Sequence, residues 1–196
     1  MKTVFFDVDT QMDFLYPAGA LYVPGAETIV DRIGALNRYA GEHGVPVIST
    51  VDAHAENDPE FRDWPPHCVA GTAGQAKPFL TLLEKRVTVP NIRGLPSTEG
   101  AQQILVEKQA LDCFTNVNLN ELLQRLGAAR YVVYGVVTEI CVQRAAMGLL
   151  KTGARVELAT DAVFSLSDAA RDEFFSDFCA AGGILTDAAA VTKSNP

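Results

Sequence analysis

Four side chains stand at the carboxyl ends of apolar, β-branched runs. Asp9 closes TVFFDVD (3–9), Asp52 follows VPVIST (45–50), Lys108 ends QILVEK (103–108), and Cys141 lies just beyond RYVVYGVV (130–137). In an open parallel sheet the loops at those ends converge on one crevice, so the four are expected to face one site. Cys141 falls in the first turn of a helix expected over 139–152, with Thr138 as its N-cap. Unpaired amides and the helix dipole at such a turn favour an anion, which would lower the thiol pKa, and the same amides could hold an oxyanion. Lys108 is costly to bury unless a carboxylate neutralises it, and Asp9 closes another strand. Together the three supply a nucleophile, a proton acceptor and a cation. Taken singly they also suit a small packing residue and a structural ion pair.

A second constellation is Asp52-Ala53-His54, joined by His67 after a proline-interrupted loop. Carboxylate and imidazole suit Zn, Fe or Mn, and the period-two spacing at a strand end puts Asp52 and His54 on one local surface. Glu60 or Asp58 would complete the coordination sphere, with waters filling the rest. Of the remaining residues, His43 reads as a helix-end cap, and Cys68, Cys113 and Cys179 as structural thiols.

The elements that position these groups follow from periodicity. The runs named above, with ARVELAT (154–160), read as strands, and residues 27–43, 118–126, 139–152 and 168–181 read as helices ended by Gly44, Gly127, Gly153 and Gly182. Strand alternating with helix implies an α/β fold: a three-layer, Rossmann-like domain with a central, mostly parallel sheet and helices on both faces. One domain over 1–196 is expected. Residues 53–100 break the rhythm. They hold six of the ten prolines, with any helix short and near 72–84, and a connection this long is expected to be functional, here a metal-binding loop.

Composition narrows the partner. With 48% hydrophobic and 20% charged residues among 196, and a net charge of -8, the chain suits one core-forming domain with no basic cluster for nucleic acid or an anionic membrane. No stretch is long enough to span a bilayer, and the four scattered cysteines read as reduced thiols of the cytoplasm. A small molecule is the expected partner.

The same residues resemble the cysteine hydrolases of the isochorismatase-like superfamily, and within them the nicotinamidases. The matching stretches are VDTQMDF (8–14), STVDAH (49–54), WPPHCVAGT (64–72), VEK (106–108) and GVVTEICV (135–142), in family order over nearly the whole chain. The resemblance implies that Asp9 is general base and then acid, Lys108 its charge partner and Cys141 the nucleophile. It implies a cis peptide at Val137-Thr138 and an oxyanion hole from the Thr138 and Cys141 amides. Asp52, His54 and His67 would bind a divalent metal, zinc first and Fe or Mn as alternatives, with Glu60 as fourth ligand and Asp58 in reserve.

Phe14, Leu21, Trp64 and Val137 would wall a flat ring. The implied reaction is deamidation of nicotinamide to nicotinate and ammonia through a Cys141 thioester. Rivals are another small amide (pyrazinamide, a ureido or N-carbamoyl compound), a vinyl-ether hydrolysis, and a non-catalytic binding protein. The chain departs from the family in Thr138-Glu139, where Thr-Asp is common, and has only Phe114 near the place of an aromatic residue after the lysine. The resemblance also hints at a homo-oligomer.

Overall fold

The computed structural model describes residues 2–193. Met1 and residues 194–196, the two ends of the expected domain, lie outside them. In chain order the elements are β1 (Thr3–Val8), α1 (Met12–Leu15), α2 (Val30–Glu42), β2 (Val47–Asp52), β3 (Arg86–Val89), β4 (Gln103–Lys108), α3 (Leu119–Leu126), β5 (Arg130–Val136), α4 (Gln143–Leu150), β6 (Arg155–Phe164), α5 (Asp168–Ala180), β7 (Ile184–Thr186) and α6 (Ala188–Lys193). The strands form one sheet in the order β3-β4-β2-β1-β5-β6-β7, with every neighbouring pair parallel.

Every residue of β1, β2 and β5 is buried, as expected of strands covered on both faces. Side chains alternate across the sheet. Val4, Phe6 and Val8 join a core with α3, α4 and α5, whereas Phe5, Val47 and Tyr134 join one with α1, α2 and α6. The chain leaves β1 toward β2 and β4 on one side and returns to β5 and β6 on the other. Its topological switch point is therefore beside β1, where the strand-end residues gather.

Several expectations are corrected. The 53–100 connection contains β3, a four-residue edge strand too short and too exposed to show periodicity, and β7 is shorter still. Its helical content is two 3₁₀ turns, Pro59–Arg62 and Phe79–Thr81, the second falling within the 72–84 window. The helix expected over 139–152 is instead a π-turn, Thr138–Val142, leading into α4, because Val142 N–H reaches back five residues to Val137 O (3.1 Å). The four helix-ending glycines all have positive φ, and His43 caps α2 with Nδ1 2.8 Å from Tyr39 O. No helix among the described residues is long and apolar enough to cross a membrane.

Gly135 has a particular task. It lies in β5 opposite Val8, with φ of 124°, at the irregularity where β5 changes register against β6. A Cβ there would run into the Val8 carbonyl. Only glycine lets β5 pass this close to β1 just before the π-turn. Gly135→Ala is expected to lose roughly 2–4 kcal/mol of stability from strain plus overpacking, read as a lower urea midpoint at unchanged m-value. An unchanged midpoint would contradict this reading.

Candidate active site

The site begins with strand register. Asp52 ends β2 and Lys108 ends β4, and the parallel ladder pairs these two residues directly. Their side chains meet in a buried ion pair between Lys108 Nζ and Asp52 Oδ1. Asp9, one residue past β1, turns out of the strand with φ of 51°, a left-handed conformation rare for a residue with a Cβ and common at functional sites. Its Oδ2 lies 2.9 Å from Lys108 Nζ, and its Oδ1 accepts from the Thr50 hydroxyl at 2.6 Å. Lys108 Nζ is also 3.9 Å from Cys141 Sγ. Asp9, Lys108 and Cys141 are thus in mutual reach, with the two charged groups only 1% exposed.

Burial and charge set the acidities. Burial pushes the Asp9 carboxyl above the usual carboxylate range, more than Lys108 holds it down, and the Asp52 charge adds to the rise. Burial also pushes at Asp52, but Lys108, His54 and His67 together hold it well below that range. The ammonium between them is raised well above an ordinary lysine: burial alone would lower it, and the two carboxylates outweigh that.

Cys141 corrects an expectation. Its thiol is pushed well above the ordinary value by burial, with Asp9 and Asp52 adding to the rise and only Lys108 opposing it. The Asp9 carboxylate that contributes to this rise has its Oδ2 buried with no hydrogen-bond partner, 2.9 Å from the same Lys108 ammonium that neighbours the thiol. Cys141 is therefore held as S–H near a carboxylate able to take its proton, instead of resting as a thiolate. Thr138 does not cap the turn, since its Oγ1 is buried without a partner, and the cis peptide lies one bond earlier than expected, at Val136-Val137.

The second constellation assembles beside the first. A loop brings Val69 into a parallel bridge with His54, with His54 N–H donating to Cys68 O at 3.1 Å and Ala70 N–H to His54 O at 2.9 Å. This sets His67 against His54 with ring centroids 4.8 Å apart. Asp52 Oδ2, the oxygen opposite the lysine-bound one, is 3.8 Å from His54 Nε2 and 3.7 Å from His67 Nε2. One donor atom from each of the three residues falls within 4.8 Å of the others.

The donor set fits a divalent metal. Both His54 ring nitrogens are buried without an in-line hydrogen bond, and His67 Nδ1 sits 2.8 Å from Pro65 O, a contact that favours the tautomer with a bare Nε2 able to ligate. Three such groups can reach one ion with bonds of about 2.0–2.1 Å. Asp58, the residue in reserve, has its Oδ2 3.1 Å from His54 Nδ1, the ring nitrogen opposite the one that faces Asp52. Glu60 stays in play. It is half-buried, its acidity is weakened by burial and by the Asp52 charge, and it lines the cavity together with Asp52 and His67.

That cavity holds about 460 Å³, open mouth included. All four expected wall residues, Phe14, Leu21, Trp64 and Val137, line it; Leu111, Ile140 and Leu166 also do, which sequence reasoning missed. Phe114 does not; it packs on Gly148, where a Cβ would overlap its ring. Also missed were the roles of Gln11 and Asp13, quoted only as motif letters. Gln11 accepts from Asp52 N–H (2.7 Å) and donates to Asp52 O (2.8 Å), clamping the backbone of the shared carboxylate. Asp13 accepts from Cys68 N–H (2.7 Å) and so ties the His67 loop to α1.

With the geometry in place, comparison with known proteins gives it a lineage. Residues 3–190 match the family model described as the Isochorismatase domain. The chain is 26% identical to the nicotinamidase of Escherichia coli (strain K12), over 91% of each chain. The zinc complex of the pyrazinamidase of Pyrococcus horikoshii superposes with a TM-score of 0.78 at 28% identity, covering 95% of this chain and 99% of that one. PnC1 of L. infantum in complex with nicotinate gives 0.75 at 28% identity, covering 96% and 93%.

Chelator-stripped protein titrated with Zn²⁺ should take up one equivalent. His67→Ala should abolish that uptake, and Asp58→Asn should weaken it about 10–100-fold, the usual cost of losing the group that orients a ligand. Undiminished uptake by His67→Ala would contradict the assignment.

Proposed function

The chain belongs to the isochorismatase-like family of hydrolases, and from that membership we propose that it deamidates nicotinamide to nicotinate and ammonia through a thioester on Cys141. The observation that carries the reading is a buried thiol 3.9 Å from an ammonium that is paired with the Asp9 carboxylate at 2.9 Å, beside a buried Asp-His-His cluster and a largely apolar cavity. The nicotinate held by the L. infantum structure and the activity named for the E. coli relative support the pyridine ring as substrate.

Asp9 accepts the thiol proton as Sγ attacks the carboxamide carbon, and Lys108 stabilises the thiolate formed in that step. The Thr138 and Cys141 amides hold the resulting oxyanion. Asp9 then returns the proton to the amide nitrogen, the C–N bond breaks, and ammonia leaves a thioester. Water gives a proton to Asp9 and attacks the acyl carbon. The C–S bond breaks, and that proton returns to Sγ. The raised pKa of Asp9 suits both duties, since burial makes its carboxylate a better proton acceptor than an ordinary aspartate.

Phe14, Leu21, Trp64 and Val137 sandwich and orient the ring. Asp52, His54 and His67, with Glu60, would hold a divalent metal, zinc foremost, which would supply Lewis acidity beside the substrate ring. A second reading is another small amide, pyrazinamide above all. It is favoured by the pyrazinamidase neighbour and by walls that, away from the ligand cluster, are mainly apolar; the Tyr22 hydroxyl is engaged with Glu27 and Gly25.

Protein incubated with nicotinamide and Zn²⁺ should release ammonia, and Cys141→Ala should lower kcat/KM by about 10³ or more. Faster, Cys141-dependent hydrolysis of an N-carbamoyl or ureido compound would replace the substrate and keep the mechanism. No ammonia from any of these amides would contradict the reaction class.

A further inference from the structure

Glu139 sits in the nucleophile's own turn, between Thr138 and Ile140, yet none of the chemistry above uses it. Its carboxylate points away along the surface to the segment joining β6 to α5. Oε1 accepts from two consecutive backbone amides there, Leu166 N–H at 2.8 Å and Ser167 N–H at 2.9 Å. Ser167 is the N-cap of α5, its own Oγ accepting from Ala170 N–H at 3.3 Å. Leu166 lines the cavity at its mouth, facing the same space as Val137 and Ile140, and is itself 54% exposed.

An exposed leucine on a short connection has little packing to fix it. Its place relative to Cys141 is set through the main chain that Glu139 grips. The carboxylate's second oxygen, Oε2, is buried with no hydrogen-bond partner, so all the hydrogen bonding of this side chain goes to the Leu166 and Ser167 amides.

We propose that Glu139 is a positioning residue for substrate selection, locking the Leu166 wall of the cavity to the turn that carries the nucleophile. The inference rests on the amidase reading for the identity of the substrate, but not for the geometry. One side chain thereby makes the rim and the nucleophile a single rigid unit, and the width of the slot between Leu166 and the opposite wall follows from its length. Loss of the anchor lets the rim relax outward while Cys141, Asp9 and Lys108 keep their contacts. Ground-state fit should then suffer more than the chemical step, and discrimination against wider rings should fall.

The test compares wild type, Glu139→Ala and Glu139→Gln on nicotinamide and on a bulkier, ring-fused carboxamide. Glu139→Ala should raise KM for nicotinamide about tenfold with kcat within about threefold, and narrow the preference for the smaller ring. Glu139→Gln, whose amide oxygen still accepts both N–H groups, should restore both quantities. A parallel titration with nicotinate, followed through the fluorescence of Trp64 in the cavity wall, needs no turnover and should show the same weakening in Glu139→Ala. If wild type binds nicotinate but hydrolyses no amide, the proposed reaction fails and this binding measurement still decides on Glu139. Wild-type KM, affinity and ring preference in Glu139→Ala, whether or not its thermal stability drops, would overturn the proposal. Failure of Glu139→Gln to rescue would overturn it too.

Discussion

The site depends on one buried cation. Lys108 has almost no contact with water and three neighbours that bear or can bear negative charge: Asp9, Asp52 and the Cys141 thiol. An ammonium taken out of water is tolerated only when paired. A single ammonium cannot hold two carboxylates equally, and the geometry makes the sharing unequal. Asp52 takes the tighter pairing, with the imidazoles of His54 and His67 on its other oxygen, and stays ionised. Asp9 receives what is left, and its acidity falls toward the range in which it can exchange a proton. Two aspartates that look alike in the sequence thus acquire opposite characters, one a permanent anion suited to a metal and one a movable proton site.

The fold enforces this division through backbone features. Parallel register sets Lys108 directly beside Asp52, Gln11 clamps the Asp52 main chain, and the positive φ of Asp9 swings its carboxylate out of the strand toward the same ammonium. Gly135 allows β5 to approach β1 closely enough for the π-turn to deliver Cys141. On the other side of the sheet a separate buried network, Lys77 with Asp7 at 2.9 Å and Asp7 with Asn37 and Ser49, ties the long connection beneath β1 and β2. The two buried lysines have different surroundings. Lys77 meets one carboxylate and neutral partners, as a structural strut would, whereas Lys108 meets two carboxylates and a thiol.

Much of this was legible in the residues. β-branched runs marked the central strands, glycines marked the helix ends, and polar residues closing apolar strands marked the site. The edge strands β3 and β7 were not legible, because three or four half-exposed residues carry no period. The state of Cys141 was misread for a physical reason. A helix N-terminus favours a thiolate where solvent or cations accompany it, and here burial and two carboxylates outweigh even the neighbouring Lys108. Thr138 failed as a cap because a π-turn rearranges the first amides of the helix. Gln11 and Asp13 had no readable task, since both act on backbone groups tens of residues away. Leu166 was invisible for the same reason, its place being fixed by a side chain 27 residues earlier in the chain.

The central claim is that burial and the Asp9 charge keep Cys141 a thiol at rest and that Lys108 opposes them. It is tested most directly by the pH dependence of Cys141 alkylation with a small reagent, located by mass spectrometry, in wild type, Asp9→Asn and Lys108→Met. Asp9 and burial raise the thiol's pKa and Lys108 lowers it, so the alkylation midpoint of wild type should lie above that of an ordinary cysteine. Asp9→Asn should move it to lower pH while turnover is lost, and Lys108→Met should move it higher. A wild-type thiol that alkylates freely at neutral pH, with a midpoint indifferent to Asp9, would contradict the account.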